Sequence, residues 1–312
     1  MSGFLVVGDV HGSYQELCEL LNRSEALNRF IVFLGDIIDR GPLQKETFNL
    51  VKKLTDEGKA SCIMGNHEYN AIMHSLGLRQ LDKVHRVFLE AFPKDSDSYH
   101  EAIAFFKNLP LFIEYPAFNV IHACYLEKQI AILRQYLDKS NRVPAGSDTD
   151  RFFILSRDRK KNPDYQAEYD DILYNAIEIS LKGTEYTLPP PHFFTDKDGK
   201  QRHEIRTRWW QQDGASLNDI AFFRTGDLPE ISIDSSELGY QIPKKTVFVG
   251  HYWLNPKSND KVSLRESSML EDLVYCLDFS CVNGGALCGM CIDTDNDRII
   301  HKELISVKSR KK

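Results

Sequence analysis

No stretch of about 18 consecutive apolar residues occurs in this chain, which excludes a membrane-spanning helix of ordinary length. A positive field is missing too: 39 Lys and Arg stand against 45 Asp and Glu, a net charge of -6. The tail Lys308-Ser309-Arg310-Lys311-Lys312 is basic but short. Neither general nucleic-acid binding nor attraction to an anionic membrane is therefore expected. A paired-cysteine framework is absent as well. The cysteines at positions 18, 62, 124, 276, 281, 288 and 291 are odd in number and mostly lie in apolar stretches, as reduced thiols do in a cytoplasm. Cys288-Gly289-Met290-Cys291 has the spacing of half a zinc site that Cys276 or Cys281 would complete, but no second tight pair accompanies it and the region reads as strand. The chain enters Phe4-Leu5-Val6-Val7 without a basic n-region or a small-residue cleavage site, so a cytoplasmic location is expected rather than export.

What the chain does have is 42% hydrophobic residues over 312 positions, enough for a sizeable core in one domain. Strand and helix signals alternate at first: strand Phe4–Val7, helix Ser13–Arg23, strand Phe30–Leu34, helix Leu43–Glu57, strand Ser61–Met64, then a helix from Asn66. Such alternation predicts an α/β sheet with parallel strands. Capping boxes are read at Ser13–Glu16 and Ser98–Glu101, and residues 80 to 108 read as helical. Leu111–Glu114 and Phe118–Ile121 read as a hairpin. Residues from about 126 to 245, with Pro189-Pro190-Pro191 and an Asp196-Lys197-Asp198-Gly199 turn, read as an inserted cap or lid. Strands return at Thr246–Val249, Leu273–Leu277, Ala286–Ile292 and Ile299-Ile300.

Each early strand ends in polar residues behind a glycine: Gly8-Asp9-Val10-His11-Gly12, Gly35-Asp36-Ile37-Ile38-Asp39-Arg40-Gly41 and Gly65-Asn66-His67-Glu68. Two later strands end at His122 and at Gly250-His251. Open α/β sheets build their sites at carboxyl strand ends. Oxygen and imidazole ligands without thiolate suit two divalent ions, manganese first and iron or zinc as alternatives. On this reading Asp9 and His11 reach one ion from an extended segment, Asn66, His122 and His251 hold the other, and Asp36 bridges them. Such a pair clamps a phosphoryl group during displacement. Arg40 supplies a planar fork for phosphate oxygens, and His67 protonates the leaving oxygen with Asp39 orienting it. Gly65 is read as the turn that lets both Asn66 and His67 reach the site. Singly, Asp9-x-His11 is a turn, His122 a structural histidine and Arg40 a surface charge; jointly, each behind a predicted strand, they mark one site. His74 reads as helix surface or core.

The motifs GDVHG, GDIIDRG, GNHE, the H of VIHACY and the GH of VGHYW run in the order found in the calcineurin-like metallophosphoesterases. Over residues 8 to 251 the sequence resembles that family and, within it, the phosphoprotein phosphatase branch. The resemblance implies a central β-sandwich flanked by α-helices, a dinuclear site, hydrolysis of phosphate esters by metal-bound hydroxide, and the residue roles just given. Trp253 stands where phosphodiesterase-type members carry a further histidine. Asp39 is the DRG aspartate that symmetrical diadenosine tetraphosphate hydrolases usually lack. It favours a phosphorylated substrate of the monoester type, phosphoserine or phosphothreonine included, with dinucleoside polyphosphates or nucleic-acid phosphate ends as the alternative. Ala123-Cys124 replaces the Gly-Gly of eukaryotic protein phosphatases, and a second phosphate-binding arginine motif has no clear match. The chain looks more like bacterial members, the phosphatase domain of polynucleotide kinase-phosphatase among them. Arg206 and Arg208, in Arg206-Thr207-Arg208-Trp209-Trp210, either point outward from an edge strand or meet phosphate beside an aromatic face for a base.

Overall fold

Strands that are apolar on both faces need cover on both, and here two sheets cover one another while helices cover their outer faces. The structure is a computed structural model that describes residues 2–146, 148–160, 168–195, 201–211, 216–222, 228–233, 238–255 and 261–311. In the first sheet β1 (Ser2–Val7), β2 (Phe30–Phe33) and β3 (Ala60–Cys62) are parallel. β14 (Ala286–Asp295) runs antiparallel to β1 and pairs in turn with β15 (Arg298–Lys308) and the short β13 (Asp278–Phe279). The second sheet has the order β11 (Met269–Glu271), β12 (Val274–Cys276), β10 (Thr246–Val249), β5 (Phe118–Ile121), β4 (Phe112–Glu114), with its three middle strands parallel.

The period of two along these strands sorts their side chains. Val6, Val32, Val120, Phe248, Tyr275 and Met290 meet in one buried layer between the sheets. Their neighbours Val7, Phe33, Ile121, Val249 and Cys276 belong to a second cluster with the helical residues Leu17, Phe48 and Ile72. The expected sandwich flanked by helices is the fold observed. Cys288 lies in the layer between the sheets and Cys291 in the outer cluster, so the two thiols point to opposite faces of β14 and do not form half a zinc site. All seven cysteines are free.

Helices α1 (Tyr14–Leu21), α2 (Gln44–Asp56) and α3 (Asn66–Ser75) follow the first three strands. Two expected capping boxes are corrected. Ser13 makes no side-chain cap bond, and Glu16 instead accepts the Arg310 backbone N–H at 2.8 Å. Residues 80 to 108 are not one helical run: a 3-10 turn at Lys83–His85 leads into α4 (Arg86–Ala91) and α5 (Asp97–Lys107). α5 is capped by Ser96, not Ser98, through the Tyr99 N–H. β14 and β15 are also longer than expected, because each completes the other's hydrogen bonds.

The segment from 126 to 245 has two parts. Helices α6 (Glu127–Leu133), α7 (Thr149–Leu155) and α8 (Asp171–Lys182) bring Leu133, Phe153 and Ile177 into the main core. Beyond them the hairpins β6 (Glu185–Thr187) with β9 (Glu204–Arg206) and β7 (Phe194–Thr195) with β8 (Gln201–Arg202) accompany a helix at Leu217–Ile220. A separate cluster of Leu188, Ile205, Leu217, Ile220, Ala221 and Ile233 supports this part. The Asp196–Gly199 turn and Lys312 lie outside the described residues. Among the described residues no helix is long and apolar enough to cross a membrane.

Candidate metal centre

Because β1, β2 and β3 run together in one sheet and β5, β10 and β12 in the other, their carboxyl ends deliver Asp9, Asp36, Asn66, His122, His251 and Asp278 to one place. Two glycines are required there by close approach. A Cβ on Gly65 would lie 2.3 Å from Asp36 Oδ1, and one on Gly250 would lie 2.0 Å from Asp9 Oδ1. Gly65 has an ordinary extended conformation, φ -96°, so proximity and not a special turn is what its position demands. The backbone strain falls elsewhere. His11, Asp36, Asp39, Arg40, His251 and Trp253 account for six of the eleven described non-glycine residues with positive φ. Such strain persists where the surroundings impose it, and it concentrates at functional sites. His11, at φ 46°, is thus not on the extended segment expected of it.

The ring nitrogens define the centre. His11 Nδ1 lies 2.7 Å from the Ile38 carbonyl and His122 Nδ1 lies 2.7 Å from the Leu34 carbonyl. A carbonyl only accepts, so each ring carries a proton on Nδ1 and turns Nε2 inward. His122 Nε2 then faces Asp36 Oδ2 at 3.4 Å and Asn66 Oδ1 at 3.1 Å. His11 Nε2 faces Asp36 Oδ2 at 3.6 Å and Asp9 Oδ2 at 4.0 Å, buried and without a hydrogen-bond partner. His251 brings Nδ1 to 2.7 Å from Asn66 Oδ1, and its own Nε2 is buried without a hydrogen-bond partner.

Electron pairs converge here with too few protons between them. Burial and the neighbouring His67 push the His11 pKa down to about 3, leaving a bare lone pair against two carboxylates. Burial alone would lower His122, but Asp36 overrides it and raises the ring to about 10. Burial also opposes ionisation of Asp36, yet His122 and His67 hold its carboxyl well below the usual range. Asp9 is pushed the other way, by burial and then by the charges of Asp278 and Asp36. His251 is driven well below its ordinary value by burial and then by Arg206. The groups Asp36, His122, His251 and His11, Asp36, His67 each bring their ligand atoms within 4.8 Å of one another. Oxygen and imidazole donors aimed inward, with Asp36 common to both groups, fit a pair of divalent cations.

Around this centre stand the other expected residues. His67 donates its backbone N–H to Asp36 Oδ1 at 2.9 Å, sets Nδ1 2.5 Å from Asp39 Oδ2, and lies with Nε2 3.8 Å from Asp36 Oδ2. Burial would lower its pKa, but Asp36 and then Asp39 raise it. Arg40 Nη2 sits 3.4 Å from His67 Nε2, with the guanidinium 4.1 Å above the Trp253 ring. Arg206 ends the edge strand β9 with its guanidinium 5.8 Å from the Tyr252 ring centre, whereas Arg208 reaches Gln211 at 3.4 Å. Trp209 and Trp210 are buried, and Trp209 Nε1 donates to the Ala123 carbonyl, so neither ring is open to stack on a base. His74 is half-buried and bonds the Arg79 carbonyl at 3.0 Å, a structural role.

Three neighbours were not anticipated. Glu68 accepts from the backbone N–H groups of Asp36 (2.8 Å), Ile37 (2.9 Å) and Gly65 (3.0 Å), locking α3 to the loop after β2. Asp278 accepts from Trp253 and Ser280, at 2.8 and 2.9 Å. It follows β12 as His251 follows β10, so the strand-end rule, applied once more, would have found it. His85 bonds Asp39 from the 3-10 turn, and no motif or spacing marks it.

The comparisons agree with this geometry. The sequence profile of the family described as calcineurin-like phosphoesterase matches residues 3–219. A symmetrical bis(5'-nucleosyl)-tetraphosphatase of Vibrio vulnificus is 32% identical over 123 residues, 38% of this chain and 43% of that protein. An asymmetrical bis(5'-nucleosyl)-tetraphosphatase of Oceanobacillus iheyensis is 33% identical over 136 residues, 38% of this chain and 54% of that one. The chain thus aligns with less than two thirds of the length of either. A symmetrical enzyme of Vibrio parahaemolyticus is 27% identical over 289 residues, 90% of this chain and 92% of its own. Motif order, converging donors and the profile match lead to one conclusion: the chain belongs to the calcineurin-like phosphoesterase family.

Proposed function

We propose that this protein is a dinuclear metal-dependent phosphatase of the phosphoprotein phosphatase branch, acting on phosphomonoesters, phosphoserine or phosphothreonine among them. Asp9, His11 and Asp36 would hold one ion, and Asp36, Asn66, His122 and His251 the other, with manganese suiting the donor set best and iron or zinc also accommodated. Two divalent ions so held would supply positive charge against the phosphoryl oxygens and would acidify a water between them. The chain's own residues do the rest. Arg40, pre-oriented by the Trp253 ring, offers its fork to two phosphoryl oxygens. Asp39 accepts a hydrogen bond from His67 Nδ1–H, which leaves Nε2 as the ring nitrogen that would carry a proton to a leaving group. Of the arginines at 206 and 208, Arg206 is the one we assign to substrate, because its guanidinium lies 5.8 Å from the ring of Tyr252, beside His251, whereas Arg208 is engaged with Gln211.

The observation that carries the monoester reading is the Asp39-backed His67. An alkoxide leaves badly without a proton, whereas a phosphate leaves as a stable anion and gains little from an acid. Dinucleoside polyphosphates are the second reading, favoured by the relatives' activities and by alignment over 92% of one of them. The test measures kcat/KM with Mn2+ on an alkyl phosphomonoester, a phosphopeptide and diadenosine tetraphosphate. The monoesters are expected to lead, and His67→Asn should cut alkyl ester turnover by roughly 10^2-fold while sparing p-nitrophenyl phosphate. A clear lead for diadenosine tetraphosphate, with His67→Asn harmless to it, would move the assignment to the second reading.

A further inference from the structure

Asp39 serves two imidazoles at once. Its Oδ2 meets His67 Nδ1 at 2.5 Å and also bonds His85 Nδ1, while the carboxylate is fully buried and its Oδ1 has no hydrogen-bond partner. Two N–H groups on one oxygen leave the carboxylate a single well-defined orientation, whereas one alone would let it rotate about its Cβ–Cγ bond. His85 is itself held. Its Nδ1 faces an Asp39 oxygen, which only accepts, so that nitrogen carries the proton, while Asn70 Nδ2 at 3.5 Å and Asp82 Oδ1 at 3.9 Å flank its Nε2. The turn bearing it is tied to the loop it serves, for the Arg40 N–H donates to the Val84 carbonyl at 3.3 Å. Asp82 caps the same turn through the Val84 N–H at 3.1 Å. On the other side Gln44 fixes the backbone of Asp39, accepting its N–H at 2.7 Å and donating to its carbonyl at 3.2 Å.

We infer that His85 is a positioning residue for the general acid: its Nδ1–H holds the Asp39 carboxylate facing His67, so that His67 presents its Nε2 proton to the leaving oxygen. This rests on the assignment of His67 as that acid. His85 touches neither substrate nor the metal ligands in this arrangement; it acts through Asp39.

A donor in the right place can be separated from mere bulk. Asn places its amide N–H where Nδ1 of histidine was, and Gln places it where Nε2 was. The experiment compares wild type, His85→Asn, His85→Gln and His67→Asn with Mn2+ on phosphate esters graded by leaving-group pKa, with thermal melting of each protein alongside. His85→Gln should lose about 10- to 100-fold on alkyl esters and little on p-nitrophenyl phosphate, a second-sphere effect of ordinary size. His85→Asn should regain most of that loss and the wild-type dependence on leaving group. An equal loss across the series for His85→Gln, or no difference between the two amides, overturns the proposal, since a structural role would move all substrates together. If His85→Gln is flat while His67→Asn is steep, the acid stands and His85 falls. If His67→Asn is flat as well, the acid assignment fails and the inference fails with it. Should His85→Gln fold poorly, Asp39→Asn, which keeps the shape of the side chain, is expected to show the same selective loss, and a uniform loss there would again refute it.

Discussion

The same strands carry two regions of opposite character only a few residues apart. Val6, Val32, Val120, Phe248 and Tyr275 fill the layer between the sheets, packing apolar surface against apolar surface. Just beyond the strands' carboxyl ends come Asp9, Asp36, His122, His251 and Asp278, all buried as well, but as polar groups among which Asp9 is pressed by the charges of Asp278 and Asp36. The first region is satisfied in isolation; the second needs something the chain does not provide. Strained φ angles fall in the second, at His11, Asp36 and His251. The sandwich layer therefore stabilises a rim that is unfavourable without its cations, and stability and activity should respond to different residues.

The largest expected effect is on activity. Asp36→Asn removes the carboxylate common to both ligand groups and should lower kcat by roughly 10^3-fold or more, with the circular dichroism spectrum of the folded protein unchanged in shape. A variant that kept wild-type turnover would break the distinction at its centre. The mirror change is in the layer. Phe248 packs edge-on against Phe118 at 5.6 Å, and Phe248→Ala should cost about 3–5 kcal/mol in urea unfolding while kcat per folded molecule holds. Turnover that fell as far as it does in the rim variant would mean the two regions are not separable.

Arg40→Ala should be milder, because it removes a charge-assisted contact worth about 1.5–3 kcal/mol. Steady-state kinetics should show KM raised and kcat lowered, with inhibition by inorganic phosphate weakened in parallel. Unchanged phosphate inhibition would put Arg40 outside the site. The smallest effect sharpens the contrast most. Burial and Asp278 raise the folded-state pKa of Asp9, so in chelated protein the ionised form opposes folding. That penalty grows as pH rises through the unfolded carboxyl range and vanishes below it. Asp9→Asn should therefore melt a few degrees above wild type in EDTA at pH 7.5, and the difference should shrink toward zero near pH 4. Destabilisation by Asp9→Asn at both pH values would show that the rim is not under the stress described.

Much of the rim was legible in the sequence because each candidate ligand sits within a few residues of a strand's end, where local signals tell both the strand and the turn. The residues that support the rim were less so. His85 reaches Asp39 from a turn 46 positions away, by packing that no local pattern encodes. Ser13 looked like a cap, but its partner Glu16 is claimed by Arg310 from the far end of the chain. Cys288 and Cys291 matched a metal spacing and were separated by the pleat of β14. Arg206 and Arg208 read alike, yet the paths after β9 send one toward Tyr252 and the other to Gln211. Short-range chemistry is written locally; which distant residue completes it depends on how the sheets close.

The central claim is that Asp36 joins two cation sites, and titrating chelated protein with Mn2+ tests it most directly. Calorimetry should give two ions per chain for the wild type, with a low-temperature electron paramagnetic resonance signal showing that the pair is spin-coupled through a shared ligand, and a rise in melting temperature on binding. Asp36→Asn should lose the coupling and weaken both ions. A single ion per chain in the wild type, or two that remain coupled and tight in Asp36→Asn, would contradict it.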